Sequence, residues 1–257
     1  MMPRKMGHGS VYKDYTGLCE FKKMSQRHMV WPKNQTRFSK DGMEYVCRPM
    51  KEDEIDELCA LYRIGVPECK GTNFDFLHHP DAMQNAVGVG KTFMKKDWFI
   101  HVIEDVAAGK LCGACASRAD RLNMTIWGEV GVIDPHYRQR KIFSNLLAYM
   151  NEIWPLTGAE YGLCWVATFH TISQKIMERH GWTVCGFFRG GYIMNHGGGK
   201  YYRHPVILIE KFFNDGEKVT ARHMDLTETS RAILNAIESA GTKKSGGVAG
   251  EQTTMDL

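Results

Sequence analysis

The sequence predicts an α/β (α+β) fold, a mixed sheet flanked by helices. Three observations carry this. Apolar runs of strand type and runs with apolar spacings of three and four alternate along the chain, in the order strand, helices, three strands, helix, strand, helix, two strands. Of 257 residues, 43% are hydrophobic and 24% charged, enough apolar mass for a sizeable core. No apolar run approaches the roughly 20 residues needed to span a bilayer.

Residues 1–43 are polar and rich in Lys, Arg, Gln and Gly, with scattered aromatics (Tyr12, Tyr15, Phe21, Trp31, Phe38). They read as an extension lying across the surface of a domain at 44–214. Residues 45–49 form a short strand. Glu52 or Asp53 then opens a helix whose inner face is Ile55, Leu58, Cys59, Leu61 and Tyr62. Pro67, Pro80, Gly88 and Gly90 interrupt 63–96, where one or two short helices are expected. Strands follow at 98–103, 110–116 and 124–132. Asp134-Pro135 stops the third, and a helix runs from about Arg140 to Trp154 on a face of Ile142, Phe143, Leu146, Leu147 and Met150. Pro155 and Gly158 close it. A buried strand at 161–168 precedes a helix at 171–180 that Gly181 ends. Strands at 184–188 and 206–213 flank a Gly-rich hairpin region. A helical addition occupies 215–240, with an amphipathic helix from 227, and 241–257 has the composition of a disordered tail.

Several function classes are excluded by composition. Lys+Arg 33 against Asp+Glu 29 leave +4, spread along the chain and not gathered into the stripe that nucleic acid requires. Residues 1–10 are charged, with no apolar signal-peptide core behind them. A cytoplasmic protein with neither nucleic-acid nor membrane partner is expected. The eight cysteines mostly sit in apolar runs, where a thiol packs as a small hydrophobe. Cys112 and Cys115 form a CxxC pair, but within a strand that odd spacing sends the thiols to opposite faces. No second CxxC or His pair completes a zinc set. His78-His79 and His196 lack a carboxylate at ligand spacing, so no metal is expected. Gly88 to Thr92 resembles half of a phosphate-binding loop, but Asn85 stands where its first Gly belongs. Trp31, Trp98 and Trp127 read as core or cleft walls.

The informative stretch is 129–147. A strand ends there, a short basic turn follows, and a helix begins at the turn. Unpaired amides and the positive end of the dipole make a helix start an anion site, and Arg138, Arg140 and Lys141 add charge. A phosphate ligand and a merely solvated basic helix start both fit that charge pattern.

Residues 45–213 resemble the GNAT acyltransferase superfamily in motif order. The Arg48-Pro49 pair followed by acidic residues is similar to the end of its first strand and start of its first helix. Residues 132–138 resemble the end of its fourth strand and the start of its pyrophosphate loop. Residues 168–182, closing on His180-Gly181-Trp182, resemble its later strand-helix unit. The resemblance implies a mostly antiparallel sheet whose fourth and fifth strands splay around acetyl-CoA or another acyl-CoA. Gly131, Val132 and Ile133 would then pair with the pantetheine arm. Arg138, Gln139, Arg140, Lys141, Ile142, Phe143 and Ser144 would hold the pyrophosphate, with His170 and Ser173 also near the cofactor. Two departures stand out. The small positions of the loop are Lys141 and Phe143 here, and Gln139 stands where many members carry Gly.

The implied reaction is direct transfer of an acetyl or other short acyl group to an amine, on a small molecule or a peptide. The fold is compatible with a homodimer. Glu129 occupies the position that often serves as base. The usual acid, a Tyr, is replaced by Met177, leaving His170, Ser173, His180 and Cys185 as substitutes. A non-catalytic acyl-CoA-binding or sensing module is the alternative, and a transferase using another acyl donor a third reading.

Overall fold

The computed structural model describes residues 28–245, apart from 93, 219, 221–223 and 225. The expectations for residues 1–27 and for 246–257 fall outside the described residues.

Eight strands form one sheet in the order β1-β2-β3-β4-β5-β6-β8-β7. They are β1 (Thr36–Lys40), β2 (Met43–Pro49), β3 (Trp98–Asp105), β4 (Lys110–Asp120), β5 (Thr125–Ile133), β6 (Tyr161–Ala167), β7 (Thr183–Asn195) and β8 (Tyr201–Phe212). All neighbours are antiparallel except β5 and β6. One face is covered by α1 (Ile55–Gly65) and α2 (Pro80–Ala86), with Leu58, Tyr62, Leu77 and Met83 fully buried. The other is covered by α3 (Ile142–Leu156) and by Met177 of α4 (Ile172–Arg179), around Trp154 and Trp182. A last helix, α5 (Glu228–Ser245), runs through the start of the stretch read as a disordered tail.

The predicted inner face of α1 is the buried one, residue for residue. Elsewhere the structure departs from the reading in five places, each with a physical cause. Residues 28–43, read as the end of a surface extension, place Met29 and Trp31 in the core and add β1 to the sheet. The β1–β2 turn is Asp41-Gly42, both at positive φ (52° and 75°), the two-residue hairpin that Asp-Gly favours. Helix α3 starts at Ile142, two residues late, because Lys141 takes a left-handed conformation at its cap. It runs through Pro155 because a proline in the last turn forfeits only one intrahelical bond.

Two bulges make the other differences. Leu111 pairs with Glu104 and Gly113 with Ile103, so Cys112 is an extra residue in β4. Alternation is broken there, and Cys112 and Cys115 enter the same buried cluster, not opposite faces as their spacing predicts. Strands β7 and β8 are far longer than the predicted 184–188 and 206–213. Pro205 cannot donate to the ladder, and residues 189–191 bulge opposite it between the pairs Phe188–Val206 and Tyr192–His204. Gly191 tolerates this because a Cβ there would lie 2.2 Å from Val206 Cγ2.

Candidate active site

The parallel pairing of β5 with β6 ends at Gly128–Cys164. Beyond it β5 continues along β4 and β6 along β8, with no pairing between them among the described residues. The strands therefore part, and the backbone of 129–133 faces an open wedge on that side. A further bulge sits at its apex: Ala116 pairs with Val130 and Ser117 with Gly128, so Glu129 is the extra residue. Glu129 shares the α1 face with Trp127, as alternation requires, and the bulge brings Val130 onto that face as well. Tyr62 of α1 donates from its hydroxyl to the Val130 carbonyl at 3.2 Å and braces this point.

Glu129 forms part of the wall of a cleft of about 590 Å³. The cleft is lined by Gly71 to Phe74, Trp98, Arg118, Trp165, Gly191 to Ile193 and Arg203. Only 6% of the Glu129 side chain is exposed, and its Oε1 lies 3.3 Å from Arg118 Nη2. Burial lifts the Glu129 carboxyl above its ordinary value, with the Arg118 guanidinium opposing that rise. A carboxylate so placed accepts a proton more readily than one in water.

At the far end of β5, Asp134 accepts from the His136 amide at 2.8 Å, and Tyr137 donates to Asp105 Oδ2 at 2.9 Å. These bonds fix the turn that leads into α3. Within it Gln139 and Lys141 both hold positive φ, 72° and 59°. The two positions thus keep a glycine-type backbone without glycine. The first amides of α3, those of Ile142 and Phe143, have no intrahelical acceptor and point out of the helix start. Phe143 closes over Gly131, where a Cβ would come within 2.8 Å of its ring.

The structure brings the wedge of 129–133 and the turn of 138–144 to the two ends of one strand-helix connection. It does not bring every predicted side chain into the site. Arg138 donates to the carbonyls of Gly65 (3.0 Å) and Ile133 (3.3 Å), tying α1 to β5. Arg140 lies over the Tyr137 ring, with Nη1 2.9 Å from Met43 Sδ. Ile142 is core and Val132 packs under α1, so each offers only its backbone. Gly131 and Lys141 are exposed, Ile133 half-buried. Ser144 Oγ lies 2.9 Å from His180 Nε2, a ring whose pKa burial lowers. His170 is exposed, and the buried Ser173 hydroxyl has no hydrogen-bond partner among the described residues.

Met177 is buried in the core and does not line the cleft beside Glu129. Cys185 donates to the Leu208 carbonyl at 3.4 Å, and burial pushes its thiol up to about 12. Among residues the sequence reading missed, Tyr192, Arg203, Arg118 and Trp165 all line the cleft. The signal for Tyr192 and Arg203 lay in the β7–β8 hairpin, whose glycines and Pro205 masked its strand character. No group of three metal-ligating side chains is found among the described residues.

No protein-family model matches the chain, and no curated protein sequence does. Solved structures match its shape. A ribosomal-protein-S5-alanine acetyltransferase from Vibrio fischeri matches over 70% of this chain and 98% of its own, with a TM-score of 0.52 at 11% identity. A mutant form of the spermidine/spermine N-acetyltransferase from Vibrio cholerae matches over 68% and 95%, with a TM-score of 0.53 at 11% identity. The chain has the GNAT fold. A GNAT-family acetyltransferase from Streptococcus pneumoniae matches over 66% and 99%, with a TM-score of 0.50 at 19% identity. β5 and β6 are the strands read in the sequence as the fourth and fifth.

Proposed function

We propose that the protein is an acyl-CoA-dependent N-acetyltransferase, moving an acetyl or other short acyl group to an amine. The carrying observation is the parting of β5 and β6 with Glu129 at its apex. Strand backbone left open there suits an extended amide-bearing arm, and the turn at 138–144 with the start of α3 suits its phosphates. Acyl-CoA supplies an activated thioester, so no covalent enzyme intermediate is needed. Gly131, Val132 and Ile133 would offer backbone to the arm, and Ile142, Phe143 and Lys141 would offer amides and charge to the pyrophosphate. Glu129 takes the proton from the incoming ammonium, helped by its raised pKa. Positioning of two substrates at the apex supplies much of the rate.

The burial of Met177, where a hydroxyl donor would otherwise stand, favours a second reading as a non-catalytic acyl-CoA-binding module. One experiment separates the two. Acetyl-CoA in hundredfold excess over its Kd should raise stability by about 2.7 kcal/mol. Thiol release with an amine panel should then fall by roughly two to four decades in Glu129→Gln, with CoA affinity kept. CoA binding without thiol release supports the module, and no CoA binding overturns both readings.

A further inference from the structure

The cleft beside Glu129 has a composition that narrows the acceptor. Its walls are aromatic: Tyr192 stands edge-on to Phe74 at 5.5 Å and to Trp165 at 5.7 Å, and Phe74 edge-on to Trp98 at 6.4 Å. Its charged lining is two guanidinium groups, Arg118 and Arg203, against one carboxylate, Glu129. Arg118 is engaged: it pairs with Glu129 and lies over the rings of Trp98 (6.0 Å) and Trp127 (5.6 Å). Arg203 donates to the Gly190 carbonyl at 3.2 Å and has no carboxylate within ion-pair distance among the described residues. The Tyr192 hydroxyl is buried and lacks any hydrogen-bond partner there. Because Tyr192 lines the cleft, an acceptor atom of a ligand held there would supply that bond.

We infer that the acceptor is an amino acid with an aromatic or large apolar side chain, its amine toward Glu129, its carboxylate toward Arg203 and Tyr192, and its side chain among Phe74, Trp98 and Trp165. The inference rests on the acetyltransferase reading and deepens it. A polyamine would bring several positive charges against a lining that already carries an excess of one, and would leave the Tyr192 hydroxyl and Arg203 without a carboxylate. A cleft of about 590 Å³ holds a molecule of tryptophan size with room for an acyl group.

The test uses the full chain with acetyl-CoA and four acceptors: tryptophan, tryptamine, spermidine and a short peptide. Thiol release is followed in each, and tryptophan binding is measured separately by calorimetry in the presence of CoA. Tryptophan should exceed tryptamine in kcat/KM by about tenfold or more, the scale of one charge-assisted contact. Arg203→Gln should raise the KM for tryptophan and shrink that preference at least about fivefold, while the melting temperature holds. Tyr192→Phe should shrink it in the same direction. Preference for tryptamine, spermidine or the peptide overturns the inference, as does equal loss on all acceptors in Arg203→Gln. If tryptophan binds, and Arg203→Gln weakens that binding, while no amine releases thiol, the acetyltransferase reading falls and the amino-acid site stands. Absence of tryptophan binding overturns the site itself.

Discussion

His101 of β3 shows how much one buried group can set. It is fully buried, with Phe99 and Tyr149 edge-on at 4.7 Å and 5.2 Å. Neither ring nitrogen has a hydrogen-bond partner among the described residues. Burial alone lowers its pKa from 6.5 to about 3. The native state keeps the ring neutral where the unfolded chain takes up a proton. Stability from this residue is therefore intact above 6.5 and is lost as pH falls toward 3. At about pH 5 the loss is about 2 kcal/mol. His101→Leu should accordingly shrink the drop in Tm between about pH 7.5 and pH 5 by roughly 4–8 °C. Thermal unfolding of both proteins at the two pH values checks this, and an equal drop in both would show that the buried ring is not the source. Glu129 is the opposite case, a buried carboxylate that keeps a partner in Arg118.

At the scale of elements, the turn into α3 carries the most testable conflict between sequence and backbone. Gln139 and Lys141 hold φ of 72° and 59°, a region that costs a side-chain-bearing residue about 1 kcal/mol or more. Gln139→Gly relieves that cost without changing charge and should raise the stability of the ligand-free protein by about 1 kcal/mol. Lys141→Gly should stabilise similarly but also weaken CoA binding by on the order of 1 kcal/mol, because it removes an exposed cation at the helix start. Denaturant unfolding paired with calorimetry at low and physiological salt reads both effects. Tighter CoA binding by Lys141→Gly would mean that backbone approach, not charge, holds the anion. Arg138 is exposed too but is held by the Gly65 and Ile133 carbonyls, whereas no side-chain bond is seen for Lys141 among the described residues, which sharpens the comparison.

Across the whole molecule, one buried ion cluster ties separate elements together. Arg48 of β2 donates from Nη1 to Glu54 Oε2 at 2.8 Å and from Nε to Glu104 Oε2 of β3 at 2.9 Å. Glu54, just before α1, also accepts from the Lys51 amide at 2.7 Å. Burial opposes both charges, yet their mutual bonds hold the Arg48 pKa above and the Glu54 pKa below their ordinary values. Glu54→Gln should cost on the order of 2–3 kcal/mol, since Arg48 stays buried with half its partners. Chemical denaturation with an unchanged m-value would confirm a native-state loss.

The sequence by itself determined the order of strands and helices, the buried face of α1, the place of Glu129 on a strand, and the basic turn before α3. These follow from local periodicity and turn chemistry, which a short window of residues contains. It did not reveal that Cys112 and Cys115 share a face, that Arg138 and Arg140 are held by Gly65, Ile133 and Met43, or that Met177 is core. Nor did it assemble Tyr192, Arg203 and Trp165 with Glu129. Each of these depends on a partner strand. A bulge exists only relative to the ladder beside it, and one extra residue exchanges the two faces of everything that follows. The cleft is therefore a property of pairing between segments far apart in the chain, which only the tertiary structure decides.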